Sequence, residues 1–211
     1  MNHRYRIAYA KTNNMRYTSN LDVHKMWERT FRRAKLPLLY SQGFHPQPKI
    51  QQASPLPLGF LSKNEIVDFI LTEDQESNQL EELLSSVLPT GIQINKITHI
   101  DLKTPALQTL TEASEYHIYF LDEFDLNLVN EKIEVLLSKS SIQRVRRGKT
   151  YDLRPLVLSL SLLLQDDPFI LMLLKSKESA TGRPEEVLSE LNIPVELTRI
   201  IRNKIILSDL E

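Results

Sequence analysis

Two hydrophobic periodicities alternate along this chain, and their order restricts the fold more than any other feature of the sequence. Apolar residues recur at every second position in residues 4–11, which is typical of a strand with one buried face. After Ser19 or Asn20, which suit a helix N-cap, they recur at three- and four-residue steps, and we expect this helix to end at Pro37. One more strand is expected within 38–56. The first half then continues as strand, helix and strand at 66–71, 78–88 and 92–100.

The second half repeats this order of elements. Its predicted elements are a strand at 116–121, a helix at 126–137, hairpin arms at 142–146 and 151–164, a strand at 169–174, a helix at 185–191, and a helix or strand at 200–207. The segment 101–114, which contains Pro105 and several threonines, is predicted to be a linker. Two successive βαββαβ units predict an α+β, tandem ferredoxin-like fold with two lobes, residues 1–104 and 113–211.

Cysteine is absent from the chain, and this excludes several classes of site. Disulfides, thiolate zinc sites, catalytic cysteines and a cysteine-ligated iron–sulfur cluster all require a residue that the sequence does not contain. The five histidines are scattered and form no HExxH motif. We therefore predict no cofactor and no metal on this chain, although a metal site could still assemble in space. A Walker loop and a GxGxxG motif are also missing, which argues against nucleotide enzymes.

The sequence contains no segment typical of a membrane protein. No stretch approaches the roughly 18 uninterrupted apolar residues that span a bilayer. Residues 1–6 enter a strand pattern directly and contain no apolar signal-peptide core. We expect a cytoplasmic protein that does not contact a membrane.

The formal net charge of −1 conceals a strong asymmetry along the chain. Residues 1–60 contain ten Lys and Arg against two Asp and Glu, whereas 61–135 contain four against fifteen. Residues 139–155 are again basic, with six against one. Local basic surfaces attract a polyanion regardless of the overall charge. The alternative is that the basic and acidic surfaces neutralise each other within the fold.

The first predicted helix carries a basic ridge on the side away from its apolar stripe. Arginines spaced about one turn apart can contact successive phosphates bidentately. The ordinary alternative is a solvated helix face with arginine stems along the edge of the core. The ridge consists of Lys25, Arg29, Arg32 and Arg33, and we expect Arg4, Arg6, Lys11 and Arg16 to cluster with it.

Residues 40–49 form the most unusual segment of the chain. Gly43 permits a positive φ angle, and Pro46 and Pro48 keep the following residues extended. Aromatic and histidine rings in a loop can stack on unpaired bases. Alternatively, the loop is simply rigid and Phe44 packs into the core. The residues predicted to bind nucleic acid here are Tyr40, Gln42, Phe44, His45 and Lys49.

A second basic patch surrounds Gly148, which is predicted to form the turn of a hairpin. A basic hairpin tip can lie against a nucleic-acid backbone. The alternative is an exposed turn whose charges prevent edge-to-edge aggregation. The predicted binding residues of this patch are Arg144, Arg146, Arg147, Lys149 and Arg154.

The sequence resembles the radical-SAM-linked family of unknown function across most of its length. The resemblance is carried by YSQGFHPQPK at 40–49, PLPLG at 55–59, RYTSNLD at 16–22, the helix with Glu28–Arg29 and Arg32–Arg33, and YDLRP at 151–155. Members occur alone or joined behind a radical-SAM domain. The resemblance implies an accessory to nucleic-acid or ribosome-related modification. Because this chain has no cysteine, any radical-SAM chemistry would come from a partner protein.

These observations favour a non-catalytic RNA-binding module that supports a separate enzyme acting on tRNA or rRNA. Cationic side chains of the two patches are expected to converge on one surface that binds phosphates. A second hypothesis is a metal-independent endoribonuclease of the CRISPR RNA-processing type, by analogy of fold alone. In that hypothesis His45 or His24 is the general base, and Lys149 or Arg147 stabilises the transition state. A third is a protein-interaction subunit whose acidic region 61–135 meets a basic partner.

Overall fold

A computed structural model describes residues 1–177 and 180–208 of the chain. It contains helices and mostly antiparallel strands, so the predicted α+β fold is confirmed. The chain divides into two compact units. Unit one comprises Met1–Thr111 together with the described residues from Leu207 onward, and unit two comprises Glu112–Ile206.

Unit one is a four-stranded antiparallel sheet with helices between its strands. The elements are β1 (His3–Lys11), α1 (Asn20–Arg33), β2 (Ile50–Gln52), β3 (Leu61–Leu71), α2 (Ser77–Ser85), β4 (Ile92–Ile100) and α3 (Leu107–Leu110), with a 3-10 turn at Asn13–Met15. The hydrogen-bonded order is β2, β3, β1, β4, and every neighbouring pair is antiparallel. The one strand expected within 38–56 is therefore present, as β2.

Aromatic rings of α1 and the sheet form the centre of the core of unit one. Trp27 and Phe31 stack at 5.4 Å between ring centroids, and Phe31 stacks on Phe69 of β3 at 4.5 Å. Tyr9 of β1 meets Trp27 edge-on at 4.9 Å. Each such ring removes about 150–250 Å² of surface from water. The apolar stripe predicted for this helix is thus the face that α1 packs against the sheet.

Both ends of α1 have well-defined caps. The Ser19 hydroxyl accepts a hydrogen bond from the Asp22 amide, as expected for the N-cap. At the other end, the Leu36 amide donates to Phe31 and the Lys35 amide donates to Arg32, which is a Schellman motif. Lys35 has the left-handed conformation (φ 54°) that glycine usually adopts in this motif. The helix therefore ends at Arg33, before Pro37.

Unit two contains a second set of paired strands and a separate two-stranded ribbon. The elements are β5 (Thr111–Phe120), α4 (Leu126–Ser138), β6 (Gln143–Arg146), β7 (Lys149–Asp152), β8 (Val157–Leu163), β9 (Phe169–Lys177), β10 (Ala180–Thr181), α5 (Pro184–Glu190) and β11 (Thr198–Leu207), with 3-10 turns at Arg154–Leu156 and Val195–Leu197. The hydrogen-bonded order is β8, β9, β5, β11; β10 pairs with the end of β9, and β6 pairs with β7.

The main difference from the predicted elements lies at 101–114. This segment was expected to be a linker, but it contains α3, and β5 begins at Thr111. Leu107 and Leu110 are buried, and the Thr111 hydroxyl donates to the carbonyl oxygens of Ala53 and Leu107. Apolar burial and these hydrogen bonds order a segment whose local composition is typical of a loop.

Candidate nucleic-acid interface

The four basic residues predicted on α1 all lie on its exposed face. We name Lys25, Arg29, Arg32 and Arg33 the α1 ridge; all four are solvent-exposed, whereas Val23, Trp27, Thr30 and Phe31 are the buried residues of the helix. Within residues 1–177 and 180–208, no ridge residue forms an ion pair within 4.0 Å. Arg33 donates a long hydrogen bond of 3.4 Å to the Val87 carbonyl. The ridge therefore keeps most of its hydrogen-bond donors for a ligand.

One carboxylate lies close to the N-terminal part of the ridge. Asp22 accepts a 2.6 Å hydrogen bond from the Ser19 hydroxyl. This bond lowers the pKa of Asp22, and the nearby charges of Lys25 and Arg29 lower it further. Asp22 therefore stays ionised near neutral pH and offsets part of the positive potential, so the ridge is most positive toward Arg32 and Arg33.

Four other cations were expected to cluster with the ridge, and for three of them this is wrong. Arg4 is buried and donates two hydrogen bonds, of 3.0 and 2.7 Å, to Asp68; Arg6 donates to the same carboxylate at 2.8 and 2.9 Å. Lys11 is also buried and donates to the Thr18 carbonyl at 3.0 Å. Strand alternation places Arg4 and Arg6 on the face of the sheet that carries Asp68, whereas Lys11, at the end of β1, reaches Thr18 in the turn before α1.

Arg16, the fourth of these residues, lies in the turn before α1 and is half-buried. Its Nε donates a 2.9 Å hydrogen bond to the Gly59 carbonyl, and its guanidinium lies 5.4 Å from the centre of the Tyr17 ring. Through these contacts, part of the guanidinium holds the turn against residues 55–59. The remaining donors of Arg16 stay available at the surface.

Residues 40–49, which we name the tip loop, form a short hairpin directly after α1. Tyr40 and Pro48 form an isolated β-bridge, and the Ser41 amide donates to the Gln47 carbonyl at 2.8 Å. The Gln47 amide donates back to the Ser41 hydroxyl at 3.0 Å. Gly43 has a φ angle of 129°, as its predicted role requires. The base of the loop is thus fixed, and its tip is held away from the core.

The side chains of the tip loop face solvent. Phe44 is 100% exposed and Tyr40 is 41% exposed, and the side chains of Gln42, His45 and Lys49 are exposed as well. The alternative expectation that Phe44 packs into the core is wrong. A fully exposed phenylalanine on a fixed loop is unusual, because nothing in its own unit repays the exposure of the ring to water.

Lys49 also lies beside a cavity of about 400 Å³ within unit one. Arg4 and Asp68 line this cavity together with Gln51 and Leu102. Because the single carboxylate of Asp68 is shared by the guanidinium groups of Arg4 and Arg6, this ion cluster keeps a net positive charge, and the exposed ammonium group of Lys49 lies beside it.

The second basic patch is a hairpin, as predicted. β6 and β7 pair over four residues each, and the two residues between them, Arg147 and Gly148, have φ angles of 50° and 76°. Two successive positive φ angles are characteristic of a type I′ turn, whose twist matches that of the strands. Arg147 and Lys149 are exposed at this tip. We name this feature the basic hairpin.

The other three arginines of the patch are held by internal partners. Arg144 lies 2.8 Å from Glu190, and Arg146 lies 2.7 Å from Glu186, both on α5. Arg146 also lies 4.7 Å above the Tyr151 ring. Arg154 donates to the carbonyl oxygens of Leu137 and Val157. Most of the positive charge of this patch therefore pairs with groups of unit two and holds the hairpin in place.

The residues of the endoribonuclease hypothesis occupy different environments. His24 lies on α1 with its Nε2 3.4 Å from Glu28, while His45 is exposed at the tip loop. No hydrogen bond joins the His45 ring to another described residue, so nothing within the described chain orients it as a general base. Lys149 lies in unit two, on the basic hairpin.

One cluster was not identified from the sequence at all. His3, Asp74 and His99 offer ligand atoms that all lie within 4.8 Å of one another. They are far apart along the chain, and none belongs to a recognisable motif. Only the register of the sheet, which pairs Tyr5 with His99, indicates that the two histidines are neighbours.

A protein-family model matches residues 4–184 of the chain and thus covers most of both units. The family is described as an uncharacterized protein conserved in bacteria (DUF2344). The chain belongs to this family. The family description names no activity. No curated protein matches the chain. Among the described residues, no helix has the length and apolar character needed to cross a bilayer.

Proposed function

We propose that this member of DUF2344 is a non-catalytic RNA-binding module that acts as an accessory to a separate RNA- or ribosome-modifying enzyme. The observation that carries the proposal is the combination, in unit one, of a ridge of unpaired cations with a fixed loop that exposes Phe44, Tyr40 and His45. One feature attracts phosphates, and the other offers rings to unpaired bases.

The α1 ridge supports the phosphate-binding part of the proposal. Arg29 and Arg32 are three residues apart, so their guanidinium groups project from the same side of the helix at about one turn's spacing. A free guanidinium binds a phosphate through two parallel hydrogen bonds, which adds geometric specificity to the charge attraction. Half or more of protein–nucleic-acid hydrogen bonds go to phosphate and sugar.

The tip loop supports a preference for single-stranded RNA. Bases can stack on Phe44 only when they are not already stacked within a duplex. Stacking on one aromatic side chain contributes about 1–3 kcal/mol, with little dependence on the base. Because hydrogen bonds close the base of the loop, little conformational freedom is lost when a base stacks.

The order of strands agrees with the fold that we propose. In unit one an order of strand, helix, two strands, helix, strand gives a sheet in which the first strand, β1, lies between β3 and β4. Unit two follows the same order once the β6–β7 ribbon and the short β10 are set aside, and there β5 lies between β9 and β11. We propose that each unit is ferredoxin-like, which would make the chain a tandem repeat of that fold. Several RNA-binding modules share this kind of sheet, but this likeness is an analogy of fold alone.

Binding of a fluorescently labelled, mixed-sequence single-stranded RNA tests the proposal. Each phosphate contact on a single strand contributes about −0.7 to the slope of log affinity against log salt. The double variant Arg29→Gln, Arg32→Gln should therefore reduce the slope by about 1.4 and weaken binding roughly tenfold at low salt. Phe44→Ala should weaken binding by about tenfold without changing the slope.

A matched control removes two exposed lysines of the same unit, Lys63 and Lys103, by substitution with glutamine. This control changes the net charge by the same amount and should retain the affinity of the wild-type protein. Affinity that does not depend on salt, or an equal loss in the control, would contradict the proposal. Gel electrophoresis of the recovered RNA should show it intact, and cleavage that is lost in His45→Ala would favour the endoribonuclease instead.

The accessory role rests on the resemblance to radical-SAM-linked proteins together with the absence of cysteine from the chain. We propose that any such chemistry is carried out by a separate radical-SAM protein that receives RNA from this module. Co-purification from the native bacterium, before and after nuclease treatment, tests this role. A radical-SAM protein that is recovered in both samples supports it, and recovery of RNA without any such protein contradicts it.

A further inference from the structure

Sheet pairing in unit one brings two histidines and a carboxylate together at one end of the sheet. Tyr5 on β1 is directly opposite His99 on β4, so His3, two residues earlier, lies on the same face of the sheet as His99. The ring centroids of the two histidines are 5.7 Å apart. His3 is also opposite Leu71, the last residue of β3, and the chain reaches Asp74 three residues later.

The three side chains offer the donor set that binds divalent transition metals. The Nδ1 atom of His3 lies 3.2 Å from Oδ1 of Asp74, and one ligand atom from each of the three residues lies within 4.8 Å of the others. Two imidazoles and one carboxylate suit Zn²⁺, Fe²⁺ and related ions, and leave coordination positions open to solvent. In a tetrahedral zinc site with bonds of about 2.0–2.1 Å, the ligand atoms lie closer to one another than 4.8 Å, so zinc would draw the three side chains slightly together. Asp74 and His99 are exposed and can make the small adjustment.

A buried tyrosine positions the carboxylate of this cluster. The Tyr5 hydroxyl is 2.7 Å from Oδ1 of Asp74 and also receives a 2.8 Å hydrogen bond from the Gln75 amide. Burial, together with the hydrogen bond to Asp74, raises the pKa of Tyr5 to about 12, so the phenol stays protonated. All hydrogen bonds described for Asp74 are to Oδ1. Among the described residues, Oδ2 is thus left for a ligand, an arrangement typical of the outer shell of metal sites.

From this geometry we propose that His3, Asp74 and His99 bind one divalent transition-metal ion, for which Zn²⁺ is the best match. The ion would join the ends of β1 and β4 to the loop between β3 and α2. Because water would complete its coordination, the ion would be open to exchange and to a further small ligand. The site does not depend on RNA binding, since none of its residues belongs to the α1 ridge or the tip loop.

Zinc binding by the full chain tests the proposal. Any purification tag must be removed or placed at the C-terminus, because a histidine tag beside His3 would bind metal itself. Competition of Zn²⁺ with a chromophoric chelator should give one equivalent bound, with a dissociation constant below about 10 µM. Titration with Co²⁺ should give the visible absorption bands of a nitrogen- and oxygen-ligated ion.

Conservative variants identify the ligands. His3→Gln, His99→Gln and Asp74→Asn should each weaken zinc binding at least tenfold, whereas His24→Gln and His45→Gln should bind like the wild-type protein. Tyr5→Phe removes the hydroxyl that bonds Asp74 and the Gln75 backbone but leaves all three ligands in place, and it should weaken binding by about tenfold. Thermal melts in EDTA show which variants fold. Added zinc should raise the Tm of the wild type, His24→Gln and His45→Gln, and should raise it less in the folded variants of His3, Asp74 and His99.

Two results would overturn the proposal. The first is a wild-type protein that binds much less than one equivalent of zinc at concentrations well above 10 µM, which is the upper limit of the expected dissociation constant. The second is equal binding by the wild type, His99→Gln and Asp74→Asn. His99 and Asp74 are exposed, so substitutions there leave the core intact, and these two variants decide the question even if His3→Gln does not fold.

Discussion

The α1 ridge and the basic hairpin look alike in the sequence, but the structure uses their charges differently. On α1, steps of four, three and one residues place the ridge cations on the side away from the buried stripe. On β6, alternation directs Arg144 and Arg146 together toward α5, where Glu186 and Glu190 neutralise them. A count of basic residues therefore overestimates the positive charge that remains available to a ligand. The overestimate is small on the helix and large on the strand.

The largest expected effect is on the free energy of unfolding, at the buried carboxylate that pairs with Arg4 and Arg6. Asp68→Asn would leave Arg4 and Arg6 with a neutral partner in a buried site, where the Asp68 side chain is only 2% exposed. Breaking a buried ion pair from one side costs about 3–5 kcal/mol. We expect that loss in the free energy of unfolding, measured with urea. The matched control is Glu73→Gln on the exposed surface. Equal stability of the two variants would contradict the expectation that the buried ion cluster stabilises unit one.

A smaller effect is expected at the basic hairpin. Arg146→Ala removes two charged hydrogen bonds to Glu186 and the contact with Tyr151, and should reduce the free energy of unfolding by roughly 2 kcal/mol. Arg147→Ala at the exposed turn should change it by less than about 0.5 kcal/mol. If the two variants are equally stable in urea, the contacts with α5 do not anchor the hairpin.

The smallest expected effect is on the ridge. The double variant Arg29→Gln, Arg32→Gln should stay within about 0.5 kcal/mol of the wild-type stability, because neither guanidinium has an ion-pair partner among the described residues. Thermal and urea unfolding check this expectation. A clear loss of stability would show that these arginines support the fold, and the ridge would then resemble the hairpin.

Features with local causes could be predicted from the sequence. The apolar stripe of α1, the positive φ that Gly43 permits and the turn at Gly148 each depend on neighbours within a few residues, and all are confirmed. Of the two N-cap candidates, Ser19 and Asn20, the helix uses Ser19. The end of α1 is earlier than Pro37 predicts. The helix ends at Arg33, four residues before Pro37, and the chain turns away through the left-handed Lys35.

Features that depend on distant residues could not be predicted. Arg144 and Arg146 find their partners about forty residues further along the chain, on α5. Asp68 draws Arg4 and Arg6 away from the ridge only because β1 and β3 pair in one particular register. Such partners follow from tertiary structure, and a single sequence contains no signal for them.

The left-handed lysine at the end of α1 has an electrostatic consequence. The last carbonyl groups of a helix carry a partial negative charge equivalent to about half an electron, which repels anions. Three cations, on Arg32, Arg33 and Lys35, lie at this end of α1, where an uncharged glycine would have been sterically easier. Their positive charge outweighs this partial negative charge, so the end of the helix attracts an anion that it would otherwise repel.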